Sequence, residues 1–399
     1  LERTIIFYLN TQFDKPEFRQ AIWNCRDPFK ASKRQLVMLA SSFNLPSDLA
    51  NDVMVLQQPL PNAEQRREIV VDSFRALDIT ATKVQINQAV DLTCGLGAFT
   101  AETALVMSGD PDAKEFDFSA LKERRRIQVG QVKGLSLYQG TETFDDITGL
   151  ENAKNYYRMR GKGRNPRRGV VIIDEIEKHV SGFGAHGTGD TTTEMVGSFL
   201  SEMSLIKAEG NMAVGVNGSG KTLLAQALGN EWGVPIFWMD FSGMKASHVG
   251  ESGDNIRGAM RVIRAMTDDM PYFFATSNNI NVLPPELKRR FFGPTFFFDL
   301  PGEKDIAAAW KFYMKQFKLS GKVPQCQDWT PSEVRNCCYN AHTLDCSMEE
   351  AAAWIVPTAR SGAATIKQLR EMADNTFISA SYPGVYKIPK ASMRRAVGE

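Results

Sequence analysis

The residues best suited to chemistry are Gly215, Val216, Asn217, Gly218, Ser219, Gly220, Lys221 and Thr222. They fit G-x-x-x-x-G-K-[ST] at every position. Glycines let successive backbone N–H groups turn inward around a polyphosphate, Lys221 reaches the β- and γ-phosphates, and Thr222 ligates Mg²⁺. The flanks agree with this chemistry. Apolar Met212 to Val216 reads as a strand and Leu223 to Leu228 as a helix, whose N-terminus adds positive partial charge. A glycine-rich turn that binds nothing would not need the Lys-Thr ending. The chain is expected to bind a nucleoside triphosphate.

Two further groups could act on such a ligand. Val170-Val171-Ile172-Ile173 is an unbroken apolar run ending in Asp174 and Glu175. It reads as a buried parallel strand whose C-terminal edge faces a ligand crevice. Asp174 is expected to hold Mg²⁺ through water, and Glu175 to orient or deprotonate the attacking water. Tyr272 to Ala275 is a second such strand and delivers Asn278, whose amide could hold that water against the γ-phosphate. Taken alone, an apolar strand ending Asp-Glu is more often structural than catalytic; beside a phosphate loop it gains weight.

Elements must bring these stretches together. At 399 residues the chain can form two or three domains with cores of their own. Charge is balanced, 47 basic against 46 acidic residues, so nothing global points to nucleic acid or an anionic membrane. Six cysteines without a C-x-x-C pair suit reduced thiols and no metal site. No apolar run approaches the roughly 18 residues of a membrane span. No leader is legible, although the chain opens on Leu1; a soluble protein of the cytoplasm, or of the plastid stroma if plastid-encoded, is expected.

The early stretch reads as strand (Thr4 to Leu9), strand (Gln35 to Ala40), a Pro-containing helix start, strand (Val53 to Leu56) and Leu-Pro. Much the same order returns at Tyr272 to Glu303, which suggests an internal repeat. The earlier copy has Ala50-Asn51-Asp52 where the later has Lys288-Arg289-Arg290, and residues 1–130 contain no phosphate loop. They read as a degenerate α/β module, with 131–143 as a linker. Basic residues at Arg158, Arg160, Lys162, Arg164, Arg167 and Arg168 suit a solvated face better than a nucleic-acid contact. His179 and His186 read as surface residues rather than metal ligands. From 303 to 380 helices suggest a small lid, and 381–399 look irregular.

Residues 144 to about 350 resemble an AAA+ ATPase module. Phe144-Asp145-Asp146-Ile147-Thr148-Gly149-Leu150 is similar to the family's leading segment, which implies that Ile147 and Gly149 lie near an adenine. Gly215 to Thr222 resembles Walker A, Val170 to Glu175 Walker B, and Asn278 sensor 1. Arg289 or Arg290, just before Phe291, resembles the arginine finger. Asp174-Glu175-Ile176-Glu177-Lys178 and Val249-Gly250-Glu251-Ser252 look like a narrower plastid, cyanobacterial and phage group. The resemblance implies ATP and Mg²⁺ as ligands, a homo-oligomeric ring of six subunits, and an α/β fold. That fold is a P-loop NTPase three-layer parallel sheet over 144–302 with a helical lid over 303–380.

Two departures stand out. The family places Walker A before Walker B, whereas Asp174 precedes Lys221 here. The family's sheet order is 5-1-4-3-2, and this chain would visit positions 3, 1, 2, 4 and 5. Every crossover then keeps its direction and can remain right-handed. Each altered step spans one extra strand, about 5 Å, for which Lys207 to Met212 and Met266 to Pro271 offer slack. A shuffled order of βα units with a preserved site is therefore expected. Second, substrate-threading relatives carry an aromatic residue where Ser247-His248 stands, which argues against a processive unfoldase. Arg335 is a candidate for the lid's sensor 2 and equally for a salt-bridged surface arginine.

The function expected is Mg²⁺-dependent ATP hydrolysis coupled to conformational work on an unknown protein client, with Arg289 or Arg290 acting on a neighbouring subunit's nucleotide. Two other readings stand beside it: an ATP-binding assembly scaffold that hydrolyses weakly or not at all, and a nucleic-acid remodelling ATPase using the basic run at Arg158–Arg168.

Overall fold

The computed structural model describes residues 4–9, 15–39, 49, 51–56, 58–180, 190–206, 208–245, 251–325 and 328–389. Expectations for His186 and the glycine-rich stretch around it, for Ser247-His248 and for 390–399 lie outside these residues. The chain separates into two compact units, Leu1–Pro59 and Leu60–Glu399.

In the first unit, Thr4–Leu9 (β1) and Arg34–Leu39 (β2) pair in parallel and are joined through a helix at Pro16–Ala31. The strand expected at Val53 to Leu56 does not form; those residues have no regular structure. The first module also does not run to residue 130. Helices at Ala63–Ala76, Lys83–Leu92, Ala98–Val106 and Phe118–Gly130 belong to the second unit, with a short ribbon of Gly109–Asp110 (β3) and Glu115–Phe116 (β4). The reason is packing: Val129 joins the core of the main sheet, and the Cys94 thiol donates to the Ala265 carbonyl at 3.1 Å.

The second unit is built on a seven-stranded sheet. Its strands are Leu135–Leu137 (β5), Gly169–Ile173 (β6), Glu209–Gly215 (β7), Ile236–Met239 (β8), Pro271–Ser277 (β9), Phe296–Phe298 (β10) and Ile378–Ser379 (β11). The spatial order is β11-β10-β7-β9-β6-β8-β5, parallel throughout except where β5 runs against β8. Its five inner strands stand in the order reasoned for a shuffled chain. β7, which leads into the phosphate loop, lies beside β9, and β6, which ends at Asp174, lies on the other side of β9.

Alternation explains why these strands read as continuous apolar runs. Val171 and Ile173 of β6 face one core and Val170 and Ile172 the other; Phe273 and Ala275 of β9 oppose Tyr272 and Phe274 in the same way. Helices Asp190–Leu205 and Glu251–Thr267 fill the first core with Phe199, Met203, Met260 and Ile263. Helices Glu151–Gly161 and Lys221–Trp232 fill the second with Tyr157, Leu224 and Leu228. The result is three layers.

Two edges correct the sequence reading. The stretch read as a linker holds β5, whose Leu135 is buried and whose ladder closes one side of the sheet. At the other side the chain leaves β10, forms helices Glu303–Gln316, Pro331–Leu344 and Met348–Ala352 around their own core, and returns through helix Ala363–Ala373 to add β11. The last helix and the segment after it therefore belong to the sheet rather than to a lid or an irregular tail. Tyr386 is buried and donates to Asp299 Oδ2 at 2.7 Å, while Arg370 Nε donates to Asp299 Oδ1 at 2.8 Å.

Candidate nucleotide site

The phosphate loop leaves β7 at Gly215, whose φ of 150° brings it hard against β10: a Cβ there would stand 2.1 Å from the Phe298 carbonyl oxygen. Gly218 and Gly220 also take positive φ, 77° and 96°, a region open to glycine at little cost. Gly220 caps the helix that starts at Lys221, so that helix's free N–H groups open onto the loop. The Ser219 hydroxyl donates to the Val216 carbonyl at 2.7 Å and holds the turn from inside.

Lys221 is buried and folds back on the loop, donating to the Gly215 and Val216 carbonyls at 2.9 and 2.8 Å. Burial pulls its ammonium down from 10.5 to about 8, opposed by the nearby charges of Glu177, Asp174 and Glu175. Among the described residues this cation, held on two carbonyls, forms no ion pair, which is the arrangement a phosphate would complete.

The acidic pair sits beside it. Thr222 Oγ1 donates to Asp174 Oδ1 at 2.9 Å, and Thr276 Oγ1 at the end of β9 donates to the same oxygen at 2.5 Å. Thr276 Oγ1 also accepts the backbone N–H of Glu175 at 2.8 Å. Glu175 has φ of 48°, a left-handed conformation that costs a non-glycine residue about 1 kcal/mol or more. Its carboxylate accepts from Asn278 Nδ2 at 3.2 Å through Oε1 and from the Lys178 ammonium through Oε2. Thus three crossings of the sheet, at the ends of β6, β7 and β9, meet on one carboxylate.

A cavity of about 810 Å³ opens over these groups. Asn217, Gly218, Gly220, Lys221, Thr222, Asp174, Glu175 and Asn278 line it, with Thr276. Helices beyond β10 close the far side with Phe312, Tyr313, Gln316, Ser332 and Arg335. Gly215 and Ser219 shape the loop from behind without lining the cavity. Ile147 is buried and Gly149 packs at Asp305, so neither lines it; Asp146 from the same segment does. Arg289 is exposed and Arg290 half-buried, both away from the cavity of their own chain. Arg335 makes no ion pair among the described residues, and it faces the cavity.

Thr276 went unread in the sequence. Its signal is positional: it stands one residue past the apolar run of β9, level with Asp174. His179 is half-buried rather than a surface residue, its ring nitrogens at 3.2 Å from the Asp174 carbonyl and 3.0 Å from Ser242 Oγ, and burial lowers its pKa. The described residues hold no cluster of three or more His, Cys, Asp or Glu able to bind a metal by themselves. An Asp and a Thr beside a phosphate loop nevertheless fit Mg²⁺, a hard cation that keeps waters and takes the rest of its shell from phosphate oxygens.

A largely parallel sheet with a glycine loop and an acidic strand end at its C-terminal edge has the layout of a nucleotide-binding α/β domain. Residues 211–271 match the family described as "ATPase family associated with various cellular activities (AAA)", so that stretch of the chain is similar to this family. The match stops short of Asp174, Glu175 and Asn278.

Its relatives include the "Uncharacterized AAA domain-containing protein ycf46" of Guillardia theta, 21% identical over 339 residues that cover 74% of this chain and 60% of that one. The protein of the same name from Gracilaria tenuistipitata var. liui is 22% identical over 334 residues, 72% of this chain and 61% of that one. The chain thus spans about three fifths of the length of the curated relatives it matches. Among solved structures, the crystal structure of the FIGL-1 AAA domain aligns at 14% identity and a TM-score of 0.36, covering 66% of this chain and 98% of that one. No helix among the described residues is long and apolar enough to cross a membrane.

Proposed function

We propose that this chain binds ATP with Mg²⁺ and hydrolyses it, and that the helices beyond β10 move with the nucleotide. The observation that carries the reading is the Asp174 carboxylate, which receives Thr222 from the phosphate loop and Thr276 from β9 although the chain reaches its acidic strand first. Lys221 and the loop amides hold the phosphates. Asp174 and Thr222 would hold Mg²⁺, which when bound neutralises charge on the β- and γ-oxygens. Glu175 accepts a proton from, or orients, the attacking water, and Asn278 holds Glu175 in place and senses the γ-phosphate. Phe312 and Tyr313 supply apolar surface to the cavity wall, suited to the nucleoside, and Arg335 lines the same space from the lid.

Arg289 and Arg290, which do not line their own chain's cavity, would serve a neighbouring subunit in a ring, where an arginine supplied in trans stabilises developing charge. A protein client, worked on through the lid and the first unit, completes this reading. Steady-state phosphate release tests it: Glu175→Gln is expected to keep ATP binding within about threefold of wild type and to lose turnover roughly 100-fold. Unchanged turnover in that variant removes Glu175 from the role; ATP binding and turnover both intact in Lys221→Ala remove the site.

One observation favours the weakly hydrolysing scaffold: both Glu175 oxygens are already engaged, by Asn278 and Lys178. Nothing similar favours the nucleic-acid remodeller. Arg158 pairs with Glu231, Arg160 and Arg167 share Glu209, and Arg168 pairs with Asp268, so four of the six cations in that run are engaged in ion pairs on the protein.

A further inference from the structure

Two residues past Glu175, the short helix Ile176–Val180 carries a second carboxylate, on Glu177, that the hydrolytic reading does not use. Only 9% of Glu177 is exposed. Its Oε1 accepts the backbone N–H of Asn278 at 2.9 Å, while Oε2 is buried and has no hydrogen-bond partner among the described residues. A buried carboxylate with one oxygen unpaired is costly to folding. An apolar residue would end that cost but could not accept the Asn278 N–H.

The bond it makes closes a small ring. Glu175 and Glu177 lie on one turn after β6, and Asn278 lies after β9. Glu177 fixes the Asn278 backbone, and Asn278 returns its side-chain amide to Glu175 Oε1 at 3.2 Å. Two contacts thereby set the spacing between the ends of β6 and β9, one through backbone and one through the amide. Without the first, the peptide at Ser277–Asn278 is free to turn, and the amide loses its aim at Glu175. Thr276 secures the other side of the same turn through the Glu175 N–H.

We propose that Glu177 is a positioning residue for hydrolysis: it holds the Asn278 backbone so that the Asn278 amide and the Glu175 carboxylate keep the geometry water activation needs. The inference rests on the hydrolytic reading. Misplacing a catalytic group by about 1 Å costs up to roughly 100-fold in rate, so Glu177→Ala should lower kcat by about 10- to 100-fold. KM and the Kd for ATP should stay within about threefold, because Glu177 hydrogen-bonds Asn278 rather than the phosphate loop, and Asp174 and Glu175 keep their charges beside Lys221. Glu177→Gln keeps a carbonyl oxygen to accept the Asn278 N–H and should recover most of the loss.

The experiment measures phosphate release, ATP binding and thermal unfolding for wild type, Glu177→Ala and Glu177→Gln. A kcat loss in the alanine variant, with binding held and the glutamine variant restored, supports the role. Wild-type kcat in Glu177→Ala overturns it, as does Glu177→Gln being as impaired as Glu177→Ala, since the charge rather than the hydrogen bond would then be at work. A parallel fall of binding, melting temperature and kcat makes Glu177 merely structural and also overturns it. Wild-type protein that binds ATP but releases no phosphate refutes the hydrolytic reading itself, and this inference with it.

Discussion

Lys221 sets a pH dependence on triphosphate binding that can be worked out from its surroundings. In the ligand-free site burial holds its ammonium at about 8 instead of 10.5. Phosphate oxygens placed on Nζ favour the charged form and raise that value, so binding takes up a proton wherever free Lys221 is neutral. At pH 7 about nine in ten copies are already protonated; at pH 9 about one in eleven is. Affinity should therefore fall about tenfold between pH 7 and 9, or roughly 1.4 kcal/mol. Lys221→Arg is the control, because a guanidinium stays charged across this range and its profile should be flat. Titration of a fluorescent ATP analogue at constant ionic strength, with Mg²⁺ in excess so that the nucleotide's own ionisation is unchanged, reads the slope. Equal affinity of wild type at pH 7 and 9, or an equally steep slope in Lys221→Arg, would refute the reasoning.

The same lysine costs the empty protein stability. Its folded value is depressed, so the unfolded chain binds more protons between about pH 8 and 10.5, and the penalty is full below pH 8 and lifts as pH rises through that window. About 2.5 units amount to roughly 3 kcal/mol; two lost hydrogen bonds of about 1 kcal/mol each offset most of it. Lys221→Met should thus stabilise the ligand-free protein at pH 7 by about 1 kcal/mol in urea unfolding, while wild type should gain stability from pH 8 to 10. Thr276→Val leaves the Glu175 N–H buried without its acceptor and should cost about 1–3 kcal/mol; Thr276→Ser should restore it, as judged by denaturant midpoint. Replacing Arg289 and Arg290 together by Ala should leave ATP affinity unchanged and abolish any rise of specific turnover with protein concentration, measured by phosphate release across a dilution series.

Much of the core architecture was legible because the relevant signals are strong and local. β6 and β9 are buried on both faces, so they read as unbroken apolar runs, and the phosphate loop declares its own strand and helix. Strand order followed from crossover direction, which is a constraint on the chain and does not depend on motif order. Even there, the slack expected at Lys207 to Met212 is mostly taken into β7, which begins at Glu209.

Weak signals failed for physical reasons. Leu135–Leu137 is three residues long in a stretch rich in Gly, Lys and Gln, and only its pairing with β8 makes it a strand. Val53 to Leu56 has the composition of a strand and no ladder to join. The role of residues 60–130 depended on which surface they cover, and Val129 and Cys94 reveal that only in three dimensions. Thr276 and Glu177 act through hydrogen bonds to groups 101 or 102 residues away, which no local pattern encodes.

The claim on which the account depends is that units shuffled along the chain assemble one site around Lys221 and Asp174. A crystal structure with a non-hydrolysable ATP analogue and Mg²⁺ measures this directly. The account predicts β- and γ-phosphates on Lys221 and the loop amides, with the metal between Thr222 and Asp174 and the γ-phosphate facing Glu175. An analogue bound outside the cavity, or seated in the loop with Asp174 and Glu175 turned away from the metal and γ-phosphate, would contradict it.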